Sequence, residues 1–272
     1  MPDDDVRSFQ VDLRGVVDLL SRHIYSGPRV YLRELLQNAM DAITARHEVD
    51  GGGGSVRITP ISEASDEFVL TDDGVGLTLD EVADLLATVG RSSKRDIFDL
   101  PRSDYLGQFG IGLLSCFMVS DTIVIRSRSA RGGSAVQWTG RSDGTFTVVE
   151  IDDDLPFGTS VHLRPRFDQG DLLRTAAVNT LADDFARYLP VRIRIDLPGG
   201  GERTITEEPP FLGPTDAPAA IALGTEIVGA APFEIVPISA PGTGTVGHAY
   251  VLPFAPPPTA KQATRVYLGR ML

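Results

Sequence analysis

Between residues 123 and 163 the chain passes through four short β-prone runs, 123–128, 135–138, 145–150 and 159–163, separated only by Gly- or Asp-rich turns. Such an order fits an antiparallel sheet with helices on one face better than alternating βαβ units. Earlier runs at 9–13, 56–59 and 68–71 read as further strands. Helical patterns lie ahead of and between these. Residues 15–22 carry an apolar stripe of Val16, Leu19 and Leu20, and 29–46, opened by Gly27-Pro28, repeats Leu32, Leu35, Leu36, Ala39 and Ile43. Thr78 and Glu81 have the spacing of a capping box at the head of another helix, and GQFGIGLLSCFMV turns into one more. The expected fold class is α+β, a two-layer sandwich with an antiparallel or mixed sheet.

A break near 164–170 divides the chain into an expected first domain, 1–166, and a smaller, partial α/β domain, 167–272. The second should hold a helix at 172–188 and strands at 191–195, 248–254 and 264–268. The tract 209–241, rich in Gly, Pro and Ala, carries no readable chemistry. The chain ends at Gly269-Arg270-Met271-Leu272 without a polar taper, as expected of a piece of a longer protein.

Charge and composition narrow the functional classes. A net charge of −12 argues against general binding to a nucleic-acid backbone, which needs clustered Lys and Arg, but leaves room for a single nucleotide pocket. The lone Cys116 sits in an apolar run and reads as a buried structural thiol. The four histidines show no metal-ligand spacing. MPDDDVRSFQ lacks an apolar core for a signal peptide, and no apolar run approaches the roughly 20 residues of a membrane span. A soluble, cytoplasmic protein is expected.

Three motifs carry chemistry. In YLRELLQNAMDAITA, Glu34, Asn38 and Asp41 fall at i, i+4 and i+7 on one helix face. Taken alone, that pattern also fits a solvated face. An amide there can ligate Mg²⁺, and a neighbouring carboxylate can take a proton from an attacking water. Asp72-Asp73-Gly74-Val75-Gly76 follows a strand: its glycines allow close backbone approach, and its first carboxylate can accept a hydrogen bond from an exocyclic amine. A tight acidic turn would look the same. Gly107-Gln108-Phe109-Gly110-Ile111-Gly112 offers backbone N–H groups to an anion, although it is neither a Walker loop nor a Rossmann fingerprint, and a glycine hinge is the plainer alternative.

The succession E-x-x-x-N, D-x-G-x-G, G-x-x-G-x-G resembles the nucleotide pocket of the GHKL ATPase superfamily, and within it the Hsp90 family, over roughly residues 8–165. FQVDL, IYSGPRVYLRELLQNAMDA, LTDDGVGLTLDEVADLLATVGRSSK, GQFGIGLLSCFMVSD and GTSVHL carry the likeness. The resemblance implies an ATPase that binds ATP and ADP with Mg²⁺. It casts Glu34 as general base, Asn38 as magnesium ligand and Arg33 as a neighbour of the phosphates. Asp72 would read the adenine amine with support from Thr159, Asp41 would lie beside the adenine-side water cluster, and Gly76 would meet the base edge. Gly107, Gln108, Phe109, Gly110, Ile111 and Gly112 would surround the phosphates and anchor a mobile lid over 88–112, made locally basic by Arg91, Lys94, Arg95 and Arg102. Unfolded or partly folded client proteins are the implied partners. The full-length protein would be a homodimer and this chain a monomer, with no nucleic-acid or membrane partner.

Departures from the family pattern are Gln37 and Met40 on the helix and Leu113-Leu114 after the glycines. No loop in 167–272 matches the one that supplies the family's catalytic arginine, so slow hydrolysis is expected. Two other readings stay open: a nucleotide-gated interaction module with little turnover, and a MutL-like ATPase, the latter disfavoured by the acidic charge.

Overall fold

The computed structural model describes residues 27–63, 65–82, 112–254, 265–267 and 270–271. The expected strand at 9–13, the helix at 15–22, and all of the glycine-rich and lid segment except Gly112 lie outside these residues, as do Arg91, Gly107, Gln108, Phe109, Gly110 and Ile111.

Helix α1 spans Val30–Asp50. It runs four residues past the expected end because nothing before Gly51 readily takes the left-handed conformation that closes it (φ +71°), with the Gly51 N–H donating to the His47 carbonyl. Leu32, Leu35, Leu36, Ala39 and Ile43 are all buried, together with Val30, Tyr31, Met40, Ala42 and Ala45. The helix lies against strand β2 and against a 3-10 helix, Gly112–Met118. Tyr31 packs edge-on to Phe68 at 5.6 Å and donates its hydroxyl to the Leu172 carbonyl at 3.0 Å.

Among the described residues, eight strands form one sheet: β1 (Ser55–Thr59), β2 (Phe68–Asp72), β3 (Ser120–Arg128), β4 (Ala135–Arg141), β5 (Phe146–Ile151), β6 (Gly158–Pro165), β7 (Arg192–Asp196) and β8 (Glu202–Thr204). Their order is β5-β4-β3-β6-β2-β1-β7-β8. Every neighbouring pair is antiparallel except β1–β7, which is parallel, so the sheet is mixed and the fold is α+β with flanking helices.

Two helical expectations change in detail. The GLLSCFM run winds as a 3-10 helix; Leu114 to Met118 are all buried, so no amphipathic stripe enforces a 3.6-residue period. The helix expected over 172–188 splits into a 3-10 turn, Gly170–Leu173, and α2, Thr175–Ala186. Arg174 between them is extended because it bridges to Ile61.

Two compact units divide after Thr206, and β7 and β8 extend the first unit's sheet. In the second unit the tract without readable chemistry contains helix α3, Pro218–Val228, and strand β9, Glu234–Ala240, which pairs with β10, Thr245–Val251. Pro218 starts α3 and Gly229 (φ +81°) stops it. Residues 265–267 form no strand. No described helix is long and apolar enough to cross a membrane.

Candidate functional site

Helix α1 supplies the floor. Glu34 and Asp41 are half-buried on its upper face and Asn38 is exposed between them. Arg33 Nη2 donates to Glu34 Oε1 at 2.8 Å, which fixes the carboxylate's position. The Arg33 Nε is buried and has no partner among the described residues. Gly112 faces the same carboxylate: a Cβ there would press on Glu34 Oε2, so a larger residue would compete with it for space. Cys116 is buried nearby, and burial, followed by the charge of Glu34, pushes its thiol far above the usual range. It is inert, as its apolar surroundings require.

The turn after β2 docks on the next part of α1. Val75 N–H donates to the Ala42 carbonyl at 2.9 Å, and a Cβ on Gly74 would lie 2.6 Å from the Ala42 Cβ. Gly76 takes φ +67° with its α-carbon against the Arg128 carbonyl, so any side chain there meets both backbone strain and a collision. On the far side, Val75 O accepts from Ala130 N–H at 2.8 Å. Buried Ser127 ties the turn to β6: its hydroxyl lies 2.9 Å from both Gly158 O and Thr159 Oγ1, and it accepts from Leu77 N–H at 2.8 Å. Thr159 stands opposite Asp72 in the β2–β6 ladder.

Alternation along an extended chain sends the two adjacent carboxylates to opposite sides. Asp72 turns inward, 6% exposed, and Gly74 N–H donates to its Oδ1 at 2.8 Å. Burial pushes its carboxyl up to about 7, against the Gly74 hydrogen bond and helped by the charge of Asp73. Asp73 turns the other way, toward the start of β1. It accepts from Gly54 N–H and Ser55 N–H at 2.8 Å each, and from the Ser55 hydroxyl at 2.6 Å. Burial alone would raise the Asp73 carboxyl; these donors outweigh it, and the net direction is down.

Asp73→Ala therefore strands three donors, and the expected loss is about 1–2 kcal/mol after solvent screening of this half-exposed group. Because the folded value is lowered, the stabilisation is present above the ordinary carboxylate range and lost as pH falls through the folded value. Urea unfolding at pH 7 and at pH 3 checks it: the difference between wild type and variant should shrink at the lower pH.

The capping box is also formed: Thr78 N–H donates to Glu81 Oε2 at 2.8 Å and Glu81 N–H to Thr78 Oγ1 at 3.4 Å. Among the described residues, then, Gly112 meets Glu34 on α1, the Asp72–Gly76 turn docks at Ala42 of the same helix, and Thr159 pairs with Asp72, while Asn38 and Asp41 lie on the helix between. Sequence reasoning missed Ser127, Gly158 and Arg46, which hold the turn. Gly158 alone had a visible signal, a glycine directly before a strand.

A mixed sheet flanked by helices, with an acidic turn and a glycine seated on one helix, is consistent with a GHKL-type ATPase domain. Residues 25–149 match the family described as "Histidine kinase-, DNA gyrase B-, and HSP90-like ATPase". The chain is similar to chaperone protein HtpG of Mycobacterium tuberculosis (strain ATCC 25618 / H37Rv), 30% identical over 233 residues that cover 74% of this chain and 36% of that protein. It is also similar to the HtpG proteins of Salinispora arenicola (29% identical over 224 residues; 74% and 35%) and Pectobacterium atrosepticum (29% over 230 residues; 76% and 36%). The chain thus contains a GHKL-superfamily ATPase domain related to bacterial HtpG chaperones, at moderate identity over part of its length. It spans little more than a third of these relatives.

Proposed function

We propose that this chain binds and hydrolyses ATP as the nucleotide-driven part of an Hsp90-like chaperone in the cytoplasm. On this reading residues 88–112 close over bound Mg·ATP and drive a change of shape around client proteins. Residues 167–272 begin the middle domain, and a homodimer forms in the full-length protein. The observation that supports it most is the meeting, on one helix, of a buried carboxylate turn and a glycine packed against Glu34.

Asp72 accepts the adenine amine through the oxygen that Gly74 leaves free. Gly76, whose side-chain position is taken by the Arg128 carbonyl, meets the base edge with its backbone, and Thr159, held by Ser127, steadies the Asp72 side of the pocket. Arg33, whose Nε has no partner among the described residues, reaches toward the phosphates while holding Glu34. Glu34 accepts the proton of the attacking water. The magnesium ion would be held by one amide, that of Asn38, with phosphate and water completing its shell. Magnesium there would neutralise phosphate charge.

Calorimetry with Mg·ATP, Mg·ADP and adenosine tests the reading. Association is expected with all three, magnesium-dependent for the first two, and its absence at millimolar concentration would sink the proposal. Adenosine has no group titrating near neutrality, so its pH dependence reports the protein. Asp72 must be ionised to accept the amine, and its carboxyl lies up at about 7 in the free protein. Adenosine affinity should therefore tighten between pH 6 and 8, by up to about tenfold per pH unit on the acid side.

A further inference from the structure

The residues assigned so far touch the nucleotide; what holds the base-reading turn in shape lies behind it. Arg46 sits one turn from the end of α1 with Asp50 at i+4, the spacing of an ordinary surface ion pair, and its Nε does donate to Asp50 Oδ1 at 2.8 Å. Two facts set it apart. Its side chain is only 13% exposed, and its Nη1 turns away from Asp50 to donate to the carbonyls of Asp73 (3.2 Å) and Gly74 (3.3 Å).

Those two carbonyls belong to peptide units whose other ends are already engaged. The peptide joining Asp73 to Gly74 presents its oxygen to Arg46 and its N–H to Asp72 Oδ1 at 2.8 Å. The next peptide presents its oxygen to Arg46 and its N–H to the Ala42 carbonyl at 2.9 Å. Each planar unit is therefore gripped at both ends, and a rotation that freed one end would free the other. Glycine at 74 lowers the steric barrier to such a rotation, so the grip has to come from partners. A flipped 73–74 peptide would take the N–H away from Asp72 and release its carboxylate.

The guanidinium is itself held in place. Its centre lies over the Phe157 ring, 5.2 Å from the centroid, and Arg128 lies over the same ring at 5.3 Å. Arg128 is anchored by Asp154 Oδ1 and the Leu155 carbonyl, both at 2.8 Å, and its own carbonyl is the wall that Gly76 faces. Phe157 is followed by Gly158, which lies against the Asp72 backbone. One aromatic ring thus links the helix, the turn and the strand ends around the site.

We propose that Arg46, braced by Phe157, is a positioning residue that keeps Asp72 oriented for adenine and so sets base selectivity. This rests on the reading of Asp72 as the adenine acceptor. A single ammonium cannot grip Asp50 and both carbonyls together, so lysine is a poor substitute here.

The test uses calorimetry on the full chain with Mg·ATP and Mg·GTP, for wild type, Arg46→Met, Arg46→Lys and Phe157→Leu, with thermal unfolding alongside. Arg46→Met should weaken ATP binding about tenfold at unchanged stoichiometry, and the ATP-over-GTP preference should fall by a similar factor. Arg46→Lys should recover only part of this, and Phe157→Leu should fall between. A lower stoichiometry with unchanged affinity and preference would mark Arg46 as structural only and overturn the proposal; so would unchanged values throughout. If Arg46→Met does not fold, Phe157→Leu decides by the same ratio. A wild-type chain that binds no ATP would defeat the functional reading itself, a result distinct from normal ATP binding with indifferent variants.

Discussion

Glu34→Ala is expected to keep its grip on ATP and to lose turnover by about 10²–10⁴-fold, the usual contribution of a positioned general base. The geometry explains why binding should survive. The carboxylate is on the helix face beside Gly112, held by its neighbour Arg33, and the base-reading turn docks two helical turns further along at Ala42. Truncation removes the proton acceptor without touching the Asp72 turn. Single-turnover hydrolysis, measured beside calorimetric affinity, separates the two effects even where steady-state turnover is low. Equal single-turnover rates in wild type and variant would show that Glu34 takes no proton, and would favour a nucleotide-gated module that changes shape without chemistry. A large loss of affinity would instead make the carboxylate a binding contact.

Asp72→Asn should do the reverse and lose ATP affinity by about ten- to a hundredfold, the worth of a charge-assisted hydrogen bond in a dry site. The amide can still accept from Gly74 N–H through one oxygen, so the turn should keep its shape. Where the second carboxylate oxygen stood, however, a donor would now face the donor of the adenine amine. The variant should also respond differently to pH. The Asp72 carboxyl is raised to about 7 in the folded protein, so its protonated form favours folding; that contribution is complete below the ordinary value of 3.8 and is lost as pH climbs through about 7. Wild type should therefore lose stability relative to Asp72→Asn between pH 5 and pH 8. Unchanged ATP affinity would contradict the adenine assignment whatever the melting curves show.

How far the sequence could be read depended on whether the signal was local. The α1 face was legible because five apolar residues at helical spacing leave Glu34, Asn38 and Asp41 nowhere else to go. The Thr78–Glu81 cap was legible because its two hydrogen bonds join residues three apart. The acidic turn was legible as a place where glycine is needed, though not which strand end would crowd it: Arg128 and Gly158 are distant in sequence and meet Gly76 only through the sheet order. Arg46 looked like the tail of a helix, since its value lies in carbonyls some thirty residues on. Helix α3 was missed because, Glu226 apart, its residues are apolar or small on every side, which leaves no periodic stripe, although Pro218 and Gly229 mark its ends. The reach of the first sheet was not legible because Arg192–Asp196 is too short a run to announce that it pairs with the first strand.

That pairing between β1 and β7 has a practical consequence for anyone dissecting the protein. The register couples Val56 to Ile193 and Ile58 to Ile195 across more than half the chain. The strand beside β2 therefore finds its other partner far along the chain, and such distant pairings are slow to assemble. A fragment cut at 166 would contain every residue proposed above to face the nucleotide, yet would present β1 as a bare edge, open to pairing with a neighbouring molecule. Shortened versions intended for ligand work should run at least to Thr206.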